Sequence, residues 1–110
     1  RFNDWFEALD FMKNQIDKHN FDYCLIGAGA YGFALAAHVK RSGKKAIHLG
    51  GALQLLFGII GKRWENPNYG VQEWGIKRGE YTSLINKHWI RPYPSSKPKF
   101  AHNVENSCYW

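Results

Sequence analysis

Three glycines, Gly27, Gly29 and Gly32, have the spacing of a nucleotide-binding loop. An apolar run that predicts a strand precedes them and a run that predicts a helix follows, which is the context the motif requires. Gly27 permits a tight turn, Gly29 lets a phosphate approach the backbone, and Gly32 lets the helix pack closely on the strand. The helix N-terminus adds unpaired N–H groups and a partial positive charge. The motif indicates an anion-binding turn; the alternative is a tight turn without a ligand.

A second glycine turn follows the next predicted strand and contains His48, Gly50 and Gly51. In a dinucleotide-binding unit this position carries an acid for the ribose of NAD, or an arginine where the cofactor is NADP. Neither is present, so the sequence favours a nucleotide diphosphate over hydride transfer. His48 lies at the carboxyl end of its strand, where it could donate a hydrogen bond to a phosphate or act as a base. His48 is therefore the candidate catalytic residue, and a structural role for it stays open.

No Asp or Glu lies between Asp22 and Glu65, whereas six Lys or Arg residues occupy that stretch and the whole chain has a net charge of +6. Four of the six fall at the far end of the predicted helix, away from the first turn. The other two, Lys62 and Arg63, are followed by Trp64, a combination that suits a phosphate together with a sugar or base ring. We expect these three residues at the rim of a positive cleft; the alternative is a solvated basic loop.

The hydrophobic pattern predicts an α/β chain, a Rossmann-like βαβ unit with parallel strands. We expect helices over residues 4–18, 30–42, 52–57 and 81–88, strands over residues 23–26 and 46–49, and an extended proline-rich tail over residues 91–110. The continuous apolar run of the first strand predicts that it is covered on both faces. Two parallel strands cannot bury both faces alone. The 110 residues are therefore expected to form a single, incomplete (half) domain.

Other classes of site are disfavoured by what the sequence lacks. Two cysteines, Cys24 and Cys108, are too few for a disulfide framework, so we expect a reduced, cytoplasmic setting. No run is long enough to predict a membrane span. The basic, aromatic composition comes without a recognised nucleic-acid motif, and the histidines are too scattered for a metal site. We expect no nucleic-acid partner, no membrane span and no metal.

Three segments, residues 5–9, 25–29 and 46–51, resemble the C-terminal half of the GT-D type bacterial glycosyltransferases. Members of this family have a Rossmann-like fold and transfer sugars from nucleotide-sugar donors during the assembly of surface polysaccharides and glycoproteins. The similarity covers residues 5–64. It implies that residues 27–32 and 48–51 line the pocket for the donor, taken here as a UDP-type nucleotide sugar and the substrate rather than a cofactor.

The resemblance also implies what this chain lacks. The acidic Asp-x-Glu motif of the family, which supports catalysis and metal use, belongs to the N-terminal half and has no counterpart here. The chain alone is therefore expected to be inactive, and its partner is expected to be the N-terminal half of the same protein or a second copy in a homo-oligomer.

Two alternatives stay open. The chain could be a nucleotide- or dinucleotide-binding module of another enzyme class, such as a reductase. It could also be a non-catalytic assembly domain that docks on a partner through its aromatic tail. Binding of UDP without NAD favours the glycosyltransferase, binding of NAD or NADP favours the reductase, and a stable complex without nucleotide binding favours the assembly domain.

Overall fold

The computed structural model describes residues 2–103 and 105–110, apart from the side chain of Glu105. The chain divides into two compact units, the first ending at Leu53 and the second beginning at Gln54. Both glycine turns belong to the first unit, and the basic loop of residues 62–64 belongs to the second.

The first helix, α1, spans Trp5–Asp17, close to its predicted bounds. Its start is fixed by Asp4, whose carboxylate accepts a hydrogen bond from the N–H of Glu7 at 2.8 Å. The Glu7 carboxylate in turn accepts one from the N–H of Asn3 at 2.7 Å. These bonds satisfy N–H groups that the beginning of a helix leaves without backbone partners, which is why the Asp4 to Glu7 spacing predicted the helix start.

Two parallel strands and the helix between them form the centre of the first unit. The strands are β1, Tyr23–Ile26, and β2, Lys45–His48, and they pair in register along their whole length. A 3-10 turn over Gly29–Tyr31 leads into α2, which spans Gly32–Arg41. The predicted parallel pair joined by a helix is confirmed, and β2 begins one residue earlier than expected.

The C-terminus of α2 ends in the glycine turn that the sequence predicted. Gly43 has a φ of +81°, in the left-handed region that favours glycine. Its N–H donates to the carbonyl of Lys40 at 3.0 Å, and the N–H of Lys44 donates to the carbonyl of Val39 at 3.2 Å. This pair of bonds is a Schellman motif, which satisfies the last carbonyls of the helix and directs the chain into β2.

The core of the first unit lies on one face of the sheet. Leu9 of α1, Ile26 of β1 and Leu35 of α2 form a buried cluster. On the other face, Leu25 and Ile47 are 41% and 46% exposed. The prediction that β1 is covered on both faces is therefore wrong. Alternate side chains of a strand point to opposite faces, and the cluster that includes α1 and α2 forms only on the face of Ile26.

The second unit packs short helical turns around aromatic rings. It contains α4, Val71–Trp74, and it includes the last residues of α3, which spans Ala52–Leu56. Trp64 is only 4% exposed, and its ring lies 5.2 Å from that of Tyr69 and 5.0 Å from that of Tyr81, measured between centroids. Burial of such large rings is a main source of stability where regular elements are short.

The prediction of a helix over residues 81–88 is wrong. Only a 3-10 turn over Thr82–Leu84 forms, and Ile85 adopts an extended conformation after it. The side chain of Asn86 accepts a hydrogen bond from the N–H of His88 at 3.0 Å. This local turn gives the backbone an alternative to the helix, which explains why the helical pattern does not prevail.

Residues 91–110 were expected as an extended tail, but residues 91–103 and 105–110 contain short 3-10 turns and return to the second unit. The turns are Pro94–Ser96, Ala101–Asn103 and Glu105–Ser107. The carbonyl of Cys108 accepts a hydrogen bond from the N–H of Arg63 at 3.1 Å. The carbonyl of Tyr109 accepts one from the side-chain amide of Gln54 at 3.2 Å. The C-terminal residues are therefore part of the packing of this unit.

Within the part of the chain that the structure describes, no helix combines the length and the apolar character needed to cross a membrane.

Candidate functional site

The two glycine turns lie side by side at the carboxyl ends of β1 and β2. Ile26, the last residue of β1, pairs with His48, the last residue of β2. The ladder continues one step further, because the N–H of Leu49 donates to the carbonyl of Ile26 at 2.9 Å. Residues 27–32 and 48–51 therefore share one edge of the sheet, where ligands bind in open α/β folds.

Two of the glycines face open space. Gly29 has a φ of +48° and Gly50 a φ of +56°, both in the left-handed region. A Cβ added at either position would meet no other atom within 4 Å. The backbone at these two positions is thus accessible to an incoming group, and it adopts a conformation that residues with side chains rarely take.

The other two glycines of the first motif are needed for packing inside the protein. A Cβ at Gly27 would lie 2.8 Å from Cδ2 of Leu53 and 2.9 Å from the carbonyl oxygen of Gly50. A Cβ at Gly32 would lie 2.2 Å from Nε2 of His48. Gly27 therefore lets the two turns approach each other. Gly32 lets α2 approach the side chain of His48 on β2, rather than the backbone of β1 as the motif suggests.

The His48 side chain connects the two turns. Its Nδ1 lies 3.2 Å from the carbonyl oxygen of Ile26 and 3.3 Å from the backbone nitrogen of Gly50. A protonated Nδ1 donates to Ile26, and an unprotonated Nδ1 accepts from Gly50, so this nitrogen is engaged in either tautomer. The ring of Phe33 packs edge-on against the imidazole, with 5.1 Å between centroids. Nε2 faces the buried Gly32 at the start of α2.

The start of α2 has no side-chain cap, and an aromatic stack holds it against α1. Tyr31, the N-cap residue, forms no capping hydrogen bond through a side chain. Its ring lies nearly parallel to that of Trp5, with 5.3 Å between centroids and 7° between planes. The stack fixes the first turn to α1. Sequence reasoning did not find this contact. The feature that could have indicated it is Tyr31, an aromatic residue inside the glycine motif.

The basic loop of the second unit does not present the surface that the sequence suggested. Trp64 is buried against Tyr69 and Tyr81, so the expectation of a stacking surface for a base or sugar is wrong. Lys62 is exposed and remains available as a surface cation. The residue types in this loop are compatible with an exposed or a buried indole. The contacts with Tyr69 and Tyr81, which lie outside the loop, determine that it is buried.

Arg63 is held by aromatic and sulfur groups of its own unit. Its guanidinium lies 4.3 Å from the ring centroid of Tyr109, donates to the hydroxyl of Tyr69 at 3.3 Å and contacts the sulfur of Cys108. Burial alone lowers its pKa, but the hydrogen bond to Cys108 and the nearby Tyr109 and Tyr69 hydroxyls raise it further than burial lowers it. The arginine stays charged, and its contacts tie the C-terminal residues to the 3-10 turn over Lys62–Glu65.

The other four Lys and Arg residues of the acid-free stretch lie away from the glycine turns, as the sequence predicted. Lys40 and Arg41 end α2, and Lys44 and Lys45 lead into β2. A ten-residue helix is about 15 Å long, which separates them from the first turn. The positive potential at the glycine turns therefore comes from backbone N–H groups and the start of α2, and no lysine or arginine of the first unit's βαβ segment contributes at short range.

Comparisons of the chain with protein-family models, with curated proteins and with solved structures found no match. Among the described residues, no three His, Cys, Asp or Glu side chains gather in a group that could hold a metal ion. The site is thus defined by its glycine turns, His48 and the 3-10 turn that leads into α2.

Proposed function

We propose that the chain is the nucleotide-sugar-binding part of a glycosyltransferase, and that the diphosphate of a UDP-type donor binds at the two glycine turns. The observation that carries this proposal is the pair of left-handed glycines, Gly29 and Gly50, that face open space at adjacent strand ends. Backbone N–H groups in such turns and at helix N-termini bind phosphates without needing a side-chain cation.

Each residue of the site has a role in this proposal. Gly29 and Gly51 present backbone groups to the diphosphate, while Gly27 and Gly32 permit the close packing that holds the turns together. Gly50 donates its N–H to Nδ1 of His48 and lets the chain turn. His48 positions the two turns through its Nδ1. Transfer of the sugar needs acidic residues supplied from outside this chain, in a cytoplasmic setting where Cys24 and Cys108 remain reduced.

Calorimetric titration of UDP into the chain tests the proposal, with NAD as the competing ligand. The variant Gly29→Ala places a methyl group where the phosphate would lie, and we expect UDP affinity to fall roughly tenfold or more, which corresponds to about 1.4 kcal/mol. The matched control is Gly75→Ala. Gly75 also has a positive φ and open space, but it belongs to the second unit.

The control separates loss of a ligand contact from backbone strain. Both substitutions force alanine into the left-handed region, at a cost of about 1 kcal/mol in stability each. Only Gly29→Ala should change UDP affinity. Equal affinities in the two variants, or binding of NAD in place of UDP, would contradict the proposal. The second result would favour a reductase.

A specific observation also supports an assembly role. The open face of the sheet carries the apolar side chains of Tyr23, Leu25 and Ile47, all exposed. Apart from β1 and β2, the described residues contain only one isolated bridge, between Ile59 and Ile90. A two-stranded sheet with one bare face gains stability from a further layer. The resemblance assigns that layer to the N-terminal half of the same protein, and a second copy of the chain is the alternative.

Light scattering of the purified chain distinguishes the two partners. If the open face binds a second copy, the chain is a dimer, and replacing Leu25 and Ile47 by glutamine makes it monomeric. If the face belongs to the N-terminal half, the chain alone is a monomer at all concentrations and binds that half when it is added. Failure to associate with either would contradict the assembly role and would leave donor binding unaffected.

A further inference from the structure

A groove at the end of the first unit opposite the glycine turns carries an unexplained concentration of positive charge. It lies between the last two turns of α2 and the beginning of β2, and its volume is about 390 Å³. Three lysines and three alanines line it: Ala36, Ala37, Lys40, Lys44, Lys45 and Ala46. Its volume falls in the range of small-molecule sites.

Two of the lysines are held in place by neighbouring groups. The Nζ of Lys44 donates to the carbonyl of His19 at 3.2 Å and lies 4.1 Å from the ring centroid of Phe21. The Nζ of Lys45 donates to the hydroxyl of Tyr23 at 3.2 Å. An ammonium group has three N–H donors, so each lysine keeps donors for a further acceptor. Ordering these side chains in advance reduces the entropy lost when a ligand binds.

The positive charge of the groove is not balanced by the protein. Within residues 2–103 and 105–110, none of Lys40, Lys44 and Lys45 forms an ion pair with a carboxylate. Two acids lie on neighbouring elements: Asp22 lines an adjoining hollow of about 250 Å³ together with Lys44 and Lys45, and Asp17 of α1 pairs with His38 of α2. Arg41, next to Lys40 in the last turn of α2, adds further positive charge. An anion that enters the groove therefore meets a net attraction.

A backbone donor faces the same side. The N–H groups of Lys45 and Leu49 point toward β1, because they donate to the carbonyls of Asp22 and Ile26 at 3.1 and 2.9 Å. Successive N–H groups of a strand alternate in direction, so the N–H of Ala46 points to the outer edge of β2. Ala46 lines the groove. The groove thus offers donors from ammonium groups and backbone over a floor of alanine methyl groups.

We propose that this groove is a second anion site, separate from the glycine turns, and that it binds a phosphate-bearing ligand. Several donors, a net positive charge and few acceptors suit a group with multiple negative oxygens, and the alanine floor accommodates a small apolar part beside it. The phosphate could come from a free organic phosphate or from a phospholipid headgroup. The two sources share the chemistry that the groove recognises, and the experiment separates them.

The first arm measures binding of inorganic pyrophosphate to the full chain by calorimetry. The variant Lys40→Gln with Lys44→Gln removes two charges from the groove, and its affinity should fall roughly tenfold or more. The matched control, Lys77→Gln with Lys87→Gln, removes the same charge from exposed positions of the second unit and should change affinity less than twofold. Because pyrophosphate also suits the proposed donor site, both lysine variants are compared in the Gly29→Ala background, in which the groove is the site that remains.

The second arm uses sedimentation with vesicles of phosphatidylglycerol and phosphatidylcholine, compared with phosphatidylcholine alone. Binding of pyrophosphate without sedimentation identifies a free phosphate as the source. Sedimentation with the anionic vesicles that is lost in the Lys40 and Lys44 variant identifies a headgroup. Three results would overturn the proposal. They are an equal loss of affinity in the groove and control variants, a complete loss of pyrophosphate binding caused by Gly29→Ala without any lysine change, and no binding in either arm.

Discussion

The contact between Gly32 and His48 gives the sharpest prediction about the fold of the site. Gly32 adopts helical angles, φ −55° and ψ −47°, where alanine is normally favoured over glycine by about 1 kcal/mol. In this chain the added Cβ would lie 2.2 Å from Nε2 and 2.3 Å from Cε1 of His48. The imidazole cannot move freely, because its Nδ1 lies within hydrogen-bond distance of Ile26 and Gly50 and Phe33 packs against it.

The expected magnitude follows from these opposing effects. Forcing extra carbon into a packed contact costs roughly 1–3 kcal/mol, which exceeds the gain in helix propensity. We expect Gly32→Ala to lower the free energy of unfolding by about 1–2 kcal/mol. In a His48→Ala background the ring is gone, so Gly32→Ala should instead raise stability by up to about 1 kcal/mol. The coupling between the two positions should therefore be about 2 kcal/mol.

Urea denaturation of the four proteins in this double-mutant cycle, followed by circular dichroism, measures the coupling. A coupling near zero would refute the packing described for His48. An increase in the free energy of unfolding caused by Gly32→Ala in the presence of His48 would also refute this packing. Either result would mean that the third glycine of the motif is not retained for this contact, and a ligand or an alternative placement of the histidine would have to account for it.

Three further predictions follow from the packing. Asp4→Ala removes the cap of α1 and should lower the free energy of unfolding by about 1 kcal/mol, measured in urea; no change would contradict the capping geometry. Trp64→Ala should cost about 3–5 kcal/mol because the indole is buried, whereas Lys62→Ala should stay within about 0.5 kcal/mol; comparable losses would contradict the buried position of the indole. Leu25→Gln and Ile47→Gln should each change the monomer's stability by less than about 0.5 kcal/mol in urea, since both side chains are already half exposed; a loss above 2 kcal/mol would mean that the face is covered.

The elements that sequence reasoning predicted well are those whose signals are local. Asp4 and Glu7 mark the start of α1, Gly43 marks the end of α2, and the apolar residues 23–26 form β1 within those bounds. The proximity of the two glycine turns also follows from topology, because neighbouring parallel strands end at the same edge of a sheet. These features need no knowledge of distant contacts.

The errors concern contacts between residues far apart in sequence. An apolar strand such as β1 has the same sequence whether one or both faces are covered, and the exposure of Leu25 depends on elements that the described residues do not supply. The basic loop likewise fits an exposed or a buried Trp64, and Tyr69 and Tyr81 decide between them. The packing of His48 on Gly32 depends on a side-chain orientation that spacing does not determine.

The central claim is that a nucleotide diphosphate binds at the glycine turns. The most direct measurement is a titration of UDP into the isotopically labelled chain, followed through its backbone amide resonances. We predict large shifts at Gly29, Gly50 and Gly51 that follow one affinity, separate from the affinity that governs shifts at Lys44 and Ala46 in the lysine groove. Shifts confined to the lysine groove, or no shifts on addition of UDP, would contradict the claim.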